Sequence, residues 1–333
     1  MLTDSVHKTR ALGLISGGLD STLAAKLLLG QGIQVTAVNF TSPFCLCTSG
    51  GKCHAAEAAR DLDIPIMIVP KGRDYLKVIK RPRHGYGSGM NPCVDCRIYT
   101  LRKAKTLAKR VGAKFIFTGE VLGQRPTSQH LSALRVIERE AGLENKVLRP
   151  LSAQLLPETE AEEKGWVDRG KLMAIRGRGR RTQISLASEA GMEYPCPSGG
   201  CLLTQKEFAR KVKDLFENKK RISTNDILLL KIGRHFRVGK NKIVVGRNKL
   251  ENDRLSQLKS RYDYMFAVLG CGSPTTVLQG PKVKKIVRTA ASLTACYSDA
   301  EAGSVLVSYG RDAFEKSIVV RPISKEGAAD LRI

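Results

Sequence analysis

Aromatic residues are scarce in this chain, 5% of 333 residues with one tryptophan, and no apolar run approaches the ~20 residues that span a bilayer. No membrane partner is therefore expected. The start, MLTDSVHKTRALGLIS, has no apolar segment followed by a small-residue cleavage site, so a cytoplasmic location is expected. Acidic residues are also short in number. Thirty-one Asp and Glu face 56 Lys and Arg, a net charge of +25, and such self-repulsion is best tolerated beside a polyanion, most often nucleic acid. Neither GxxxxGK[ST] nor GxGxxG follows the first apolar run, which disfavours P-loop and dinucleotide-binding readings. Nine cysteines, an odd number without an export signal, argue against a disulfide framework and for metal or redox chemistry.

What is present over the first two hundred residues is an alternation of short apolar runs with helical patterns, the grammar of a parallel sheet covered on both faces. ALGLI (11–15), VTAVNF (35–40), PIMIVP (65–70) and KFIFTGE (114–120) read as strands. DSTLAAKLLLGQG, HAAEAARDLD and CRIYTLRKAKTLAKRVGA read as helices. This is a doubly wound α/β fold whose ligand belongs beyond the carboxyl ends of the strands. Near residue 205 the grammar changes. The reading divides the chain into a catalytic domain at 1–205, a linking helix at 206–221 and a smaller basic α+β domain at 222–333. In the last, DILLLKIGRHFRV, KIVVGR, YMFAVLG, TTVLQG, SVLVSYG and SIVVRPI are strand-like. Basic runs recur at KVIKRPRHG (77–85), RGRGRR (176–181), RKVKDLFENKKR (210–221) and KIGRHFRVGKNK (231–242).

Between the first strand and the first helix stands Ser16-Gly17-Gly18-Leu19-Asp20-Ser21. Glycines there let backbone approach a phosphate, helix N–H groups and the dipole hold the anion, and two hydroxyls add donors. A capped glycine turn is the plain alternative. Downstream come Asn91-Pro92-Cys93-Val94-Asp95-Cys96-Arg97, then Thr118-Gly119-Glu120 with Gly123-Gln124-Arg125-Pro126 and Ser128-Gln129.

SGGLDS after a first strand resembles the pyrophosphate loop of the ATP pyrophosphatases, the PP-loop (adenine nucleotide alpha hydrolase-like) family. NPCVDCR resembles the NPxxxC segment of tRNA 2-thiouridylases and the CxxC of iron–sulfur tRNA thiolases, and TGE with GQRP is similar to the strand-end loop of 4-thiouridine synthases. The resemblance covers about residues 10–215. It implies a tRNA sulfurtransferase that cleaves ATP between the α and β phosphates, adenylates a uridine carbonyl oxygen and replaces that oxygen with sulfur. Ser16, Gly17, Gly18, Asp20 and Ser21 would bind the ATP phosphates with Mg2+, Gly119 would stand at the same site, and Asn39 and Phe40 lie where the family holds adenine. Arg97 and Arg125 could neutralise phosphate. Small-molecule sulfur or nitrogen transfer, and a noncatalytic RNA-binding factor, are the competing functions.

Cys93 and Cys96 form a CxxC at a helix start, where the dipole favours thiolate. With Cys201 in PCPSGGCL they would ligate a 4Fe-4S cluster with one open iron, the three-cysteine arrangement of the similar thiolases. Cys196 and Cys53 are alternatives for the third ligand. A zinc site on Cys93, Cys96, Cys196 and Cys201, or a persulfide resolved by a second cysteine, are the other readings. Cys45, Cys47 and Cys53 form a second group that could relay sulfur, ligate metal in place of Cys201 or equally be ordinary loop thiols, and Cys271 and Cys296 read as buried small hydrophobes. The sulfur donor, sulfide or a cysteine desulfurase, and the oligomeric state are left open. IGRHFRV followed by KIVVGRNKLENDRL resembles the RNA-binding module of ribosome-associated quality-control proteins (NFACT-R-like). Here Arg234, His235, Arg237, Lys240, Lys242, Arg247 and Lys249 alternate with strand-forming residues, giving donors to phosphate on one face and an apolar face to pack, with His235 read equally as a plain surface histidine. The chain begins almost at the first strand, so the ferredoxin-like and THUMP modules of typical 4-thiouridine synthases are expected to be absent, and tRNA capture would fall to the C-terminal domain.

Overall fold

A computed structural model describes residues 9–45, 53–194 and 200–333. Cys47 and Cys196, and with Cys196 most of the PCPSGG turn, lie outside the described residues. The chain divides into two compact units, residues 1–204 and 205–333.

The first unit is built on β1 (Arg10–Leu14), α1 (Leu19–Leu29), β2 (Gln34–Thr41), α2 (His54–Asp61), β3 (Ile66–Pro70), α3 (Asp74–Lys80), α4 (Cys93–Arg110), β4 (Phe115–Thr118), α5 (Leu131–Ala141), β5 (Val147–Leu148), α6 (Glu160–Glu163) and α7 (Arg181–Glu189). Among the described residues of this unit, five strands are parallel in the order β3-β2-β1-β4-β5. Because helices cover both faces, the strands are apolar almost throughout rather than alternating. Leu12 and Leu14 join Ile98, Leu101 and Ile137 on one face, whereas Ala11, Ile15, Phe115 and Phe117 join Leu19, Leu23, Leu28 and Ala59 on the other. Strand order reverses between β1 and β4, and the crevice at that switch is where such sheets bind ligands. The turn at 16–18 and the segment 119–129 both open onto it. Neither α5 nor β5 was read from the sequence.

The second unit contains α8 (Lys206–Asn218), α9 (Thr224–Leu229), β6 (Arg234–Val238), β7 (Asn241–Val245), α10 (Lys249–Leu258), β8 (Tyr264–Ala267), β9 (Thr276–Gln279), α11 (Lys284–Cys296), β10 (Val305–Gly310), β11 (Lys316–Val320) and α12 (Lys325–Asp330). Six antiparallel strands run in the order β11-β10-β8-β9-β7-β6. One face packs Phe236, Ile243, Phe266 and Leu278 against Val287, Ala290 and Ala291 of α11. The other packs Val244 and Val277 against Leu229 and Leu255.

Two readings are corrected here. DILLL is not strand but helix, because Ser223 and Asp226 close a reciprocal capping box that starts α9. The helix read as a linker, α8, is part of the second unit, where Asp214 takes Arg237 at 2.6 Å and Lys242 at 3.4 Å.

Candidate active site

Ser16 to Ser21 form a turn locked by its own hydroxyls. Ser21 Oγ donates to the Gly18 carbonyl at 3.0 Å and lies 3.1 Å from Ser16 Oγ, which accepts from Gly18 N at 3.3 Å. Gly17 has φ +77°, and a Cβ there would stand 2.2 Å from the His54 carbonyl carbon at the start of α2. Only glycine meets both conditions. Gly18 is the N-cap of α1 and supplies no side-chain cap to the first N–H groups of the helix. Gly119 serves a different need: a Cβ there would lie 2.4 Å from Ser21 N, so glycine lets the end of β4 close on the first turn of α1.

Asp20 Oδ2 accepts from Gln124 Nε2 at 3.1 Å and stands 3.8 Å from Arg180, while its Oδ1 is buried and accepts no hydrogen bond among the described residues. An orphaned buried carboxylate oxygen is costly unless a cation or donor joins it. Asn39 is buried, donates to the Ile15 carbonyl at 2.7 Å and leaves its own Oδ1 without a partner among the described residues.

Ser16, Asn39 and Phe40 line a cavity of about 200 Å3 together with Cys93, Cys96 and Cys201. Arg97, Arg125 and Ser128 complete its wall, with Lys71 and Tyr75. The CxxC occupies the first turn of α4 after Pro92 at the N-cap, which faces both sulfurs toward this space. Cys93 Sγ accepts from Asn91 Nδ2 at 3.2 Å, and Cys96 Sγ accepts from Tyr75 Oη at 3.0 Å and Lys71 Nζ at 3.2 Å. Burial pushes the Cys96 thiol up, but the Lys71 charge and the two hydrogen bonds outweigh it and leave the thiol below its ordinary value. Burial pushes Cys201 up to about 11. Cys45 pairs with Cys201 through an isolated antiparallel bridge, whereas Cys53 caps α2 beside Gly17. Of the second cysteine group, Cys47 lies outside the described residues. Among the described residues no three His, Cys, Asp or Glu side chains are gathered closely enough to hold a metal ion as they stand.

Behind the cavity lies a buried ion network. Glu120 faces Arg97 at 3.0 Å and Arg149 at 3.2 Å, and Arg149 continues to Glu138. Burial raises the Glu120 carboxyl, and the two guanidinium charges more than reverse that, so it stays ionised and holds Arg97 at the wall. Lys71, Tyr75, Arg149 and Arg180 were not singled out from the sequence. For Lys71 a signal existed: it follows the carboxyl end of a predicted strand, where ligands of such sheets are met.

In the second unit the row of basic residues is not uniformly presented. His235 is 1% exposed with Nε2 at 2.8 Å from the Ile232 carbonyl, and Arg237 and Lys242 are taken by Asp214. Burial pushes Lys242 down to about 8. These three do not offer donors to phosphate, a correction whose cause is the pleat: in β6 and β7 they face α8 or the core rather than solvent. Cys271 is exposed and Cys296 half-buried, so neither is a fully buried hydrophobe. No helix among the described residues is long and apolar enough to cross a membrane.

Residues 6–154 match the family described as thiamine biosynthesis protein (ThiI), and residues 233–331 match the NFACT protein RNA binding domain. A tRNA-specific 2-thiouridylase MnmA of Syntrophotalea carbinolica is 35% identical over 116 residues, 32% of this chain and 32% of that protein. A probable tRNA sulfurtransferase of Thermus thermophilus is 33% identical over 147 residues, 43% of this chain and 34% of that one. The chain therefore spans about a third of the length of these curated relatives. Among solved structures, U34-tRNA thiolase NcsA from Methanococcus maripaludis with its [4Fe-4S] cluster aligns at 16% identity and a TM-score of 0.35, over 67% of this chain and 70% of that one, a superposition too loose to compare sites. Residues 6–154 are thus similar to the ThiI family and residues 233–331 to the NFACT RNA binding domain.

Proposed function

We propose that this chain is an ATP-dependent tRNA sulfurtransferase that adenylates a uridine carbonyl oxygen and replaces it with sulfur. The observation that carries the reading is that one cavity is lined both by Ser16 of the phosphate-binding turn and by Cys93, Cys96 and Cys201. An activated carbonyl and a sulfur nucleophile must meet within bonding distance, and a shared cavity provides for that. The first N–H groups of α1 and the hydroxyls of Ser16 and Ser21 would hold the ATP phosphates. The unpartnered Oδ1 of Asp20 is suited to a Mg2+ ion on them. Asn39 Oδ1, an unpartnered acceptor on the cavity wall, is suited to the exocyclic amine of adenine. Adenylation makes the ring carbon electrophilic and turns a poor leaving oxygen into AMP, which departs as sulfur attacks. Arg97 and Arg125 would neutralise the phosphate that leaves.

The donor set fits a 4Fe-4S cluster in kind: three cysteine sulfurs line the cavity, and one of them is held toward thiolate. Cys93, Cys96 and Cys201 would hold it, and when bound it would supply an iron open to hydrosulfide. The second reading is a cysteine persulfide attacking the activated carbon, with a second thiol then displacing the sulfur as a disulfide forms. The pairing of Cys45 with Cys201 favours it, because it brings a fourth thiol to the same end of the sheet. Transfer onto a small molecule is the less favoured substrate, given the RNA binding domain match. Iron and sulfide analysis of protein purified without oxygen, with tRNA-stimulated pyrophosphate release, tests the reading. About four irons per chain supports the cluster. Iron-free protein that still thiolates tRNA supports the persulfide, and no ATP turnover with tRNA refutes the function.

A further inference from the structure

The basic segment 77–90, KVIKRPRHGYGSGM, is not used by the nucleotide or thiol chemistry. No acidic residue occurs from Tyr75 to Val94. Lys77, Arg81 and Arg83 are exposed, and the Arg83 side chain is 78% exposed with Glu140 3.5 Å away. The segment is nevertheless fixed in place. Arg83 N and His84 N donate to the two oxygens of Asp95 at 2.9 and 3.0 Å, and His84 bridges Asp95 at 3.4 Å and Glu140 at 2.9 Å. Gly89 N donates to Asn91 Oδ1 at 2.9 Å and Met90 N to the Leu203 carbonyl at 2.9 Å. Asp95 lies between the two cysteines of the CxxC, so the turn that aims the thiols into the cavity also pins this segment at the rim. Tyr86 Oη donates to the Ile79 carbonyl at 2.8 Å while the residue stays 43% exposed, which ties the ring down at its tip and leaves area open.

Resting on the reading that RNA is the substrate, we propose that residues 77–90 form the RNA-docking rim of the first unit. Lys77, Arg81 and Arg83 take phosphates of the strand that carries the target uridine, and an unpaired neighbouring base stacks on Tyr86. Asp95 is a positioning residue that holds this surface in register with Cys93 and Cys96. Cations spaced along a prebuilt loop beside one anchored aromatic ring match single-stranded RNA, whose phosphates and base faces recur together. An acidic protein surface would use the cations but leave the ring without a stacking partner.

The test uses the full chain and unmodified tRNA, with affinity measured over a range of salt. Arg81→Ala with Arg83→Ala is expected to reduce the slope of log affinity against log salt by ~0.7 to 0.9 per lost phosphate contact. Tyr86→Leu is expected to weaken tRNA by roughly five- to a hundredfold, the loss of one stacked base. Asp95→Ala should weaken tRNA too and be non-additive with the arginine pair, which a purely structural role would not produce. ATP affinity should be unchanged in the arginine pair and in Tyr86→Leu. Variants that keep wild-type tRNA affinity and salt slope overturn the proposal, as do variants impaired only toward a protein sulfur donor. Wild-type protein that binds ATP but no tRNA refutes the functional reading itself, and the rim with it.

Discussion

Lys71 Nζ stands 3.2 Å from Cys96 Sγ, across 25 residues of chain. The contact joins the carboxyl end of β3 to the first turn of α4 and places a positive charge on one sulfur of the CxxC but not on Cys201. That asymmetry separates the two thiols: Cys96 is held below its ordinary pKa, and Cys201 is pushed up to about 11 by burial. The wall of the cavity, not the cysteine spacing, thus decides which sulfur is the better nucleophile in metal-free protein.

Replacing Lys71 by Met should raise the Cys96 thiol and slow its alkylation by iodoacetamide at neutral pH several-fold, while Lys71→Arg retains most of the rate. Peptide mapping of metal-free protein across a pH series reads both. Equal rates in wild type and Lys71→Met would remove the ammonium from this role.

Gly17→Ala should abolish ATP binding and destabilise the first unit, since φ +77° and a Cβ 2.2 Å from the His54 backbone are both refused to alanine. Gly18→Ala, at φ −89° with nothing nearer than Ser16 Oγ at 3.5 Å, should fold normally. Titration with ATP and urea unfolding followed by Trp166, the only tryptophan, distinguish the two.

Glu120→Ala leaves Arg97 and Arg149 facing each other across a buried gap, and breaking such a pair costs about 3–5 kcal/mol. Unfolding reported by Trp166 should shift accordingly. Arg97→Met leaves Glu120 paired with Arg149, so it should cost less stability than Glu120→Ala but weaken AMP more than adenosine, measured by calorimetry.

His235 is held neutral by burial, its pKa well below 6.5 in the folded chain. The unfolded chain therefore binds more protons as pH falls below about 6.5, and stability must fall with it, by up to ~1.4 kcal/mol per pH unit, until the folded pKa is reached. His235→Gln should flatten this dependence. Hydrogen exchange of the β6 peptide between pH 7 and 5 checks it.

The parallel sheet, its first helices and the glycine turn at 16–18 were legible in the sequence because they are local: apolar period, glycine placement and helix starts are set by neighbours in the chain. The CxxC at a helix start was legible for the same reason. Sequence could not decide the orientation of charged side chains in the second unit, where alternation along β6 and β7 gave basic residues without saying that Asp214 of α8 would claim Arg237 and Lys242. Nor could it read DILLL as helix, since a capping box of two residues overrode an apolar run. Above all, that Ser16, Asn39, Lys71, Cys93, Cys96 and Cys201 line one cavity follows from the strand order β3-β2-β1-β4-β5, which brings the ends of distant segments to one crevice. The sequence by itself determined the residue types and their local geometry. Their convergence was decided by the tertiary structure, because contacts across tens or hundreds of residues are fixed by how the layers pack and not by any local signal.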